Sequence, residues 1–420
     1  MNIENNFNKY LYRYADLLVS YALNVNEGQI VNISSELVHR DFVRLVVKIC
    51  YEKGAKHVNV DFTDPLLTSI RVGSSQSKFL DYVRPFVEQK YSDLVDEKGV
   101  NLKILGSEYP DILSDLDTEK LNLLRISDFN AAKKFYDFGI SKQHVQWTVA
   151  ACATKAWALN IFNRAGVSVD PEKAEMQLWK EIFKINRVFD ENYIEQWHEH
   201  DRKLKLRENY LNSLGIQELH FVGPDTDLVV GLSQKALFKG GTDISKAGNR
   251  FEPNIPTEEV FTTPDYRLTR GTVKATKPFL INGKLIEGLW MRFEAGKIVE
   301  FHATSGEKTF KEYIGSDPGA SRLGEVAIVG IDSPIYQSGL VFEEILYDEN
   351  AACHIAIGSA YKFCISGGSD MSREQLIEWG VNESSAHTDI MISSDQVDVI
   401  ALTFDQNRVK IIDKGSWCGN

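Results

Sequence analysis

The sequence predicts an α/β domain with a largely parallel sheet over residues 1–215, joined to a β-rich, largely antiparallel domain over residues 216–420. Three observations carry this. The first half alternates short apolar runs with helical patterns, the signature of parallel strands joined by crossover helices. The second half switches to short alternating runs broken by Asn-Gly, Ala-Gly and Pro. At 420 residues the chain is long enough for two or three domains.

In chain order, Leu11, Ala15, Leu18, Tyr21 and Ala22 recur at helical spacing and predict an amphipathic N-terminal helix. It lacks the basic start and cleavage site of a signal peptide. GQIVNISS (28–35), KHVNVDF (56–62), NLKILGS (101–107) and HVQWTVAA (144–151) predict strands. Between the first two, HRDFVRLVVKICYEKG predicts a helix closed by Gly54. SQSKFLDYVRPFVEQKY predicts a helix that Pro85 kinks or breaks. Helical patterns fill the stretch from about Thr154 to Leu211. Beyond it, Ile281-Asn282-Gly283-Lys284 is a hairpin turn, because Asn-Gly tolerates the positive φ angles of a tight turn. EAGKIVEF predicts a second hairpin.

Composition narrows the function classes. The formal charge of −12, with no basic run, excludes a nucleic-acid wrapper or a protein docked on an anionic membrane. No apolar run approaches the roughly 20 residues that span a bilayer. Five scattered cysteines without a CxxC suit a reducing cytoplasm better than a disulfide framework. There is no GxSxG elbow and no GxxxxGK[ST] phosphate loop. WHEHD (197–201) resembles a metal site, but on a helix His198 and His200 point about 200° apart, so a solvated face is the expectation.

The chemistry gathers in the second half. DENAACHIAIGSAY (348–361) sets Asp348, Glu349, His354 and Tyr361 among small apolar residues. SSAHTDIMI (384–392) places His387 and Asp389 two apart, on one face if the segment is extended. NIPTEEVFTTP (254–264) offers Glu258 and Glu259, and GASRLGEVAIVG (319–330) offers Glu325. Isolated buried carboxylates are costly to ionise, and divalent cations remove that cost. Two such ions balance Glu259, Glu325, Glu349 and Asp389, with His354 and His387 as neutral ligands. The mixed N and O donors suit zinc, cobalt or manganese, and the lack of thiolates argues against a structural zinc site. The residues alone leave three readings open: a metal-dependent peptidase, a metal-dependent amidase on non-peptide substrates, and a non-catalytic small-ligand-binding protein.

NIPTEEVFTTPD, GASRLGEVAIV, LYDENAACHIAIGSAY and NESSAHTDIMI, in this order, resemble the signature segments of the bacterial aminopeptidase T, aminopeptidase S and PepS family. The likeness extends to KYLYRYADLLVSYALNVNEGQIV, VQWTVAACATKAWA and GTDISKAGNRFEPNIPTEEVF, nearly the full chain. It implies a dinuclear metallo-aminopeptidase that cuts the N-terminal peptide bond through a metal-bridging hydroxide. Glu259, Glu325, His354, His387 and Asp389 become expected ligands, with Glu325 between the ions. Glu349 becomes a sixth ligand or a close neighbour of the ligands. Tyr361 becomes the active-site tyrosine that donates to the developing oxyanion. Glu349 or Glu258 is the expected proton carrier, and the resemblance does not choose between them. It also implies a homodimer, a first domain that shapes the substrate cavity, and short peptides with a free N-terminus as substrates.

Overall fold

Four predicted strands form one parallel sheet, in the order His57–Thr63, Ile30–Glu36, Val100–Leu105, Gln146–Ala151. The computed structural model describes residues 3–113 and 116–419. Contacts divide the chain into two units, Met1–Trp197 with Thr242–Pro256, and His198–Gly241 with Thr257–Asn420.

In the first unit, helix Phe7–Asp16 continues as a wider π-type segment, Leu17–Ala22. Of its predicted stripe, Ala15, Leu18, Tyr21 and Ala22 are buried and Leu11 is half-buried. Helix Arg40–Glu52 buries Phe42, Val43, Val46, Ile49 and Cys50. Pro85 does not kink a helix. It opens one, Pro85–Asp96, after a separate 3-10 turn at Ser77–Phe79. Proline suits the first helical position because the N–H it lacks has no partner there anyway.

A polar row crosses this sheet. Asn59, Asn32 and Asn101 stand in register on neighbouring strands. Asn59 Nδ2 donates to Asn32 Oδ1 at 2.8 Å, and Asn32 Nδ2 donates to Asn101 Oδ1 at 3.0 Å. An amide both donates and accepts, so the central Asn32 has both functions met within the row.

The second unit is antiparallel. An eight-stranded sheet runs in the order 297–302, 290–294, 270–274, 226–231, 216–223, 398–403, 408–413, 416–417. The Asn-Gly hairpin is present, Phe279–Ile281 against Lys284–Ile286, with Asn282 at φ 51° and Gly283 at φ 77°. The Ala-Gly hairpin joins Trp290–Glu294 to Lys297–His302. A five-stranded sheet has the order His387–Met391, His354–Gly358, Leu323–Ile328, Val260–Thr262, Lys239–Gly240.

Pleating divides that smaller sheet into two faces. Val260 pairs with Ile328, and Val326 with Ile355 and then Ile390. All five are fully buried in the unit's apolar core. Each such aliphatic side chain stabilises the fold by roughly 1.5–3 kcal/mol relative to exposure. The other face carries the candidate chemistry. Among the described residues no helix is long and apolar enough to cross a membrane, and all five cysteines are free thiols.

Candidate metal centre

Cross-strand register assembles the site. Glu325 pairs with Ala356, which pairs with Asp389, so the two carboxylates flank one methyl group. His354 pairs with Ala327 on one side and Met391 on the other, and His387 pairs with Gly358. Partners across a ladder share a face. The small Ala327 and Ala356 leave the space between the acidic and imidazole groups open. Glu325 lies within a fully buried strand, at a register shift after Leu323. Gly324 is required just before it, because a Cβ there would sit 2.1 Å from Ser359 O.

Two groups of donors result, Glu259 with Glu325 and His354, and Glu325 with His387 and Asp389. Glu325 belongs to both. His354 Nε2 lies 3.2 Å from Glu259 Oε2 and 3.9 Å from both Glu325 Oε1 and Asp389 Oδ1. His387 Nε2 lies 3.5 Å from Glu325 Oε2 and 3.6 Å from Asp389 Oδ1. Each imidazole is oriented from behind. His387 Nδ1 donates to Ser359 O at 2.9 Å, and His354 Nδ1 to Ala352 O at 3.2 Å. That leaves both Nε2 atoms facing the carboxylates, as in histidines that hold metals.

The residues fit divalent cations. Glu259 Oε2 is buried and has no hydrogen-bond partner, although His354 Nε2 is near. The two atoms approach without aligning as donor and acceptor, as ligands aimed at a shared point do. Electrostatics agree. Burial, then Glu259 and Asp389, push Glu325 up to about 7. Burial pulls His354 down, but Glu259, Asp389 and Glu325 together outweigh it and raise it to about 9. His387 is likewise raised, against its burial, by Asp389 and Glu325. Burial opposes ionisation of Asp389, yet His387 and His354 hold it below its ordinary value. Without cations the cluster must hold protons instead.

Glu349 and Glu258 separate. Glu349 is in neither donor group, but burial and then the charges of Glu259, Asp389 and Glu325 raise it well above its ordinary value. Glu258 is buried with its Oε2 3.5 Å from His200 Nε2, and it too is in neither group. His200 is not on a solvated face as expected: it is 9 % exposed, and its Nε2 donates to Thr257 O at 2.7 Å. The solvated-face expectation failed because it ignored a neighbouring segment packing on the helix. Asp348 turns elsewhere and accepts from Phe342 N at 2.7 Å, fixing the loop before it.

Tyr361 closes the site. Its ring centroid is 5.4 Å from that of His387. The Thr263 hydroxyl accepts from Tyr361 N at 3.2 Å and donates to Tyr361 O at 2.9 Å, which anchors the segment. Its phenol is raised by desolvation and by Glu325, Asp389, Glu349 and Glu259. The residue is 37 % exposed, which makes the carboxylates the firmer cause. Sequence reading missed the supports behind the ligands. Tyr313 Oη accepts from His387 N and from Thr388 Oγ1, and Asp317 accepts from Ser384 and Ser385 just before His387.

Comparison with known proteins agrees with this geometry. The chain matches the thermophilic metalloprotease (M29) family over residues 7–417. It is 38 % identical to aminopeptidase AmpS of Bacillus subtilis (strain 168), over 98 % of this chain and 99 % of that one. It is 36 % identical to aminopeptidase PepS of Streptococcus thermophilus, over 98 % of each. The solved structure of wild-type AmpT from Thermus thermophilus superposes with a TM-score of 0.90 at 36 % identity, covering 98 % of this chain and 99 % of that chain. A buried cluster of carboxylates and imidazoles on one sheet face, within a chain matched along nearly its whole length, identifies the protein as a member of the thermophilic metalloprotease (M29) family.

Proposed function

We propose that this metallo-aminopeptidase holds two divalent cations, zinc, cobalt or manganese, and removes the N-terminal residue of short peptides. The observation that carries the reading is the pair of donor groups sharing Glu325. Glu259 and His354 hold one ion, His387 and Asp389 the other, with Glu325 common to both. Bound there, the ions supply Lewis acidity that polarises the scissile carbonyl and brings a water's pKa toward neutrality.

The chain's own groups do the rest. Glu349 carries the proton from water to the leaving amine, because it lies buried beside Glu259, Asp389 and Glu325 while belonging to neither donor group. Glu258 is the weaker candidate for that role, since its carboxylate turns toward His200. Tyr361 keeps its phenolic proton and donates to the oxyanion. The β-rich unit is the catalytic one on this reading. A cytoplasmic location, which suits the free thiols, and a homodimer belong to the same proposal.

The test is leucine release from a short peptide by purified protein with added cobalt or zinc. An N-acetylated copy of the peptide and a chelator-treated sample run beside it. Release from the free peptide alone, lost on chelation and restored by metal, is the expected result. Equal cleavage of both peptides would replace this reading with a broader metal-dependent amidase.

A further inference from the structure

We infer that His200 and Asn350 clamp a single peptide unit from both sides and thereby select Glu259, rather than Glu258, to face the metal ions. The inference rests on the reading of Glu259 as a metal-holding residue.

The peptide unit joins Thr257 to Glu258. Its carbonyl oxygen accepts from His200 Nε2 at 2.7 Å. Its N–H donates to Asn350 Oδ1 at 2.7 Å. A carbonyl oxygen only accepts, so His200 carries its proton on Nε2 here. The strand after Glu259 begins at Val260, so sheet pairing does not fix this peptide plane. Both clamping side chains are buried, His200 on the long helix Tyr193–Ser213 and Asn350 with no exposure at all.

Asn350 is itself held. Its Nδ2 donates to Leu346 O at 2.9 Å and reaches Glu349 Oε1 at 3.5 Å. Its backbone oxygen accepts from Ser333 Oγ at 2.6 Å. The same side chain therefore ties the Glu258–Glu259 segment to the segment carrying Glu349. The two neighbouring carboxylates turn to different partners: Glu258 lies 3.5 Å from His200, while Glu259 lies 3.2 Å from His354. A rotation of the preceding peptide plane would turn Glu259 off the ions. His200 and Asn350 touch neither ion nor substrate on this account; they are positioning residues.

Cobalt(II) titrated into metal-free protein, followed by its visible absorption, reads the clamp without catalysis. His200→Ala should weaken cobalt binding by about tenfold to a hundredfold, the scale seen when residues supporting metal ligands are removed. Asn350→Ala should do likewise. His200→Gln, which restores an N–H near the Nε2 position, should recover most of the affinity. Because both act on one peptide unit, the double alanine variant should cost less than the product of the single effects. A folded His200→Ala protein that binds cobalt like wild type would overturn the clamp, even if its melting temperature fell. So would a His200→Gln variant as weak as His200→Ala, or fully multiplicative double-variant losses. Wild-type protein that binds no cobalt would remove the metal reading first, and the clamp with it.

Discussion

In the parallel sheet of the first unit, three asparagines stand side by side on neighbouring strands and bond to one another. In the five-stranded sheet of the second unit, Glu325 and Asp389 flank Ala356 in the same in-register way, with His354 one step along. The device is identical: polar side chains aligned across adjacent strands on one face. The chemistry differs. Each amide brings a donor and an acceptor, so the asparagine row bonds internally and leaves only its half-buried ends, Asn59 and Asn101, to meet water. Ionised carboxylates bring acceptors only, so the acidic row stays unsatisfied until protons or cations arrive. A polar row that its own residues complete is structural, and one that they leave incomplete is built for something else.

The largest effect is expected from Glu325→Gln. It puts an amide into the acidic row and removes the group common to both donor sets. Peptide hydrolysis should fall by roughly a thousandfold or more, comparable to or beyond the loss of one strong charge-stabilising contact. Bound metal, measured by elemental analysis, should fall as well. Above pH 7, where Glu325 is ionised, the metal-free variant should melt no lower than metal-free wild type, because a buried like-charge neighbour has gone. A variant that kept both its metal content and its turnover would mean that Glu325 is not shared between ions.

Much of this contrast was legible in the sequence. The four first-unit strands, both hairpins and the acidic and imidazole motifs announced themselves through alternation, Asn-Gly and Ala-Gly turns, and His-x-Asp spacing. Pairing order was not legible, because no local pattern says that residues 323–328 lie between 260–262 and 354–358. Nor could spacing tell Glu258 from Glu259. On the proposed clamp the choice depends on His200, 57 residues before Thr257. His200 looked like a solvated residue for the same reason: helical periodicity does not reveal what packs on the helix. Tyr313 and Asp317 support the His387 strand through contacts of 67 to 75 residues' separation, which leave no local trace.

A smaller effect is expected when the metal is stripped and the pH varied. Glu325 is raised to about 7, so the folded metal-free protein keeps a proton that the unfolded chain has lost. Stability therefore falls as pH rises from the ordinary carboxylate range through 7. His354 acts in the same direction. Raised to about 9 from 6.5, it adds stability that is fully present below 6.5 and lost as pH rises through 9. Asp389, held low, loses its contribution only as pH falls below the normal aspartate range. The melting temperature of metal-free protein should therefore decline from about pH 5 to about pH 9. Metal should raise it at every pH at which the ligands are deprotonated, and flatten the slope. Equal slopes with and without metal would show that the acidic row does not govern this pH dependence.

The smallest expected effect comes from the other row. Asn32→Leu keeps the side chain's approximate volume and removes both of its bonds, leaving Asn59 Nδ2 and Asn101 Oδ1 without their partner in the ladder. Stranding buried polar groups costs about 1–3 kcal/mol. Asn32 is only 4 % exposed, but Asn59 and Asn101 are half-buried and can turn to water, so the lower end of that range applies. Chemical denaturation should show this loss with no change in bound metal or in the pH slope of the metal-free protein. A pH slope that changed with Asn32 would mean that the two rows are not independent. A loss well above this range would mean that the asparagine row also fixes strand register, since in-register amide bonds penalise a slip that exchanges the two faces of a strand.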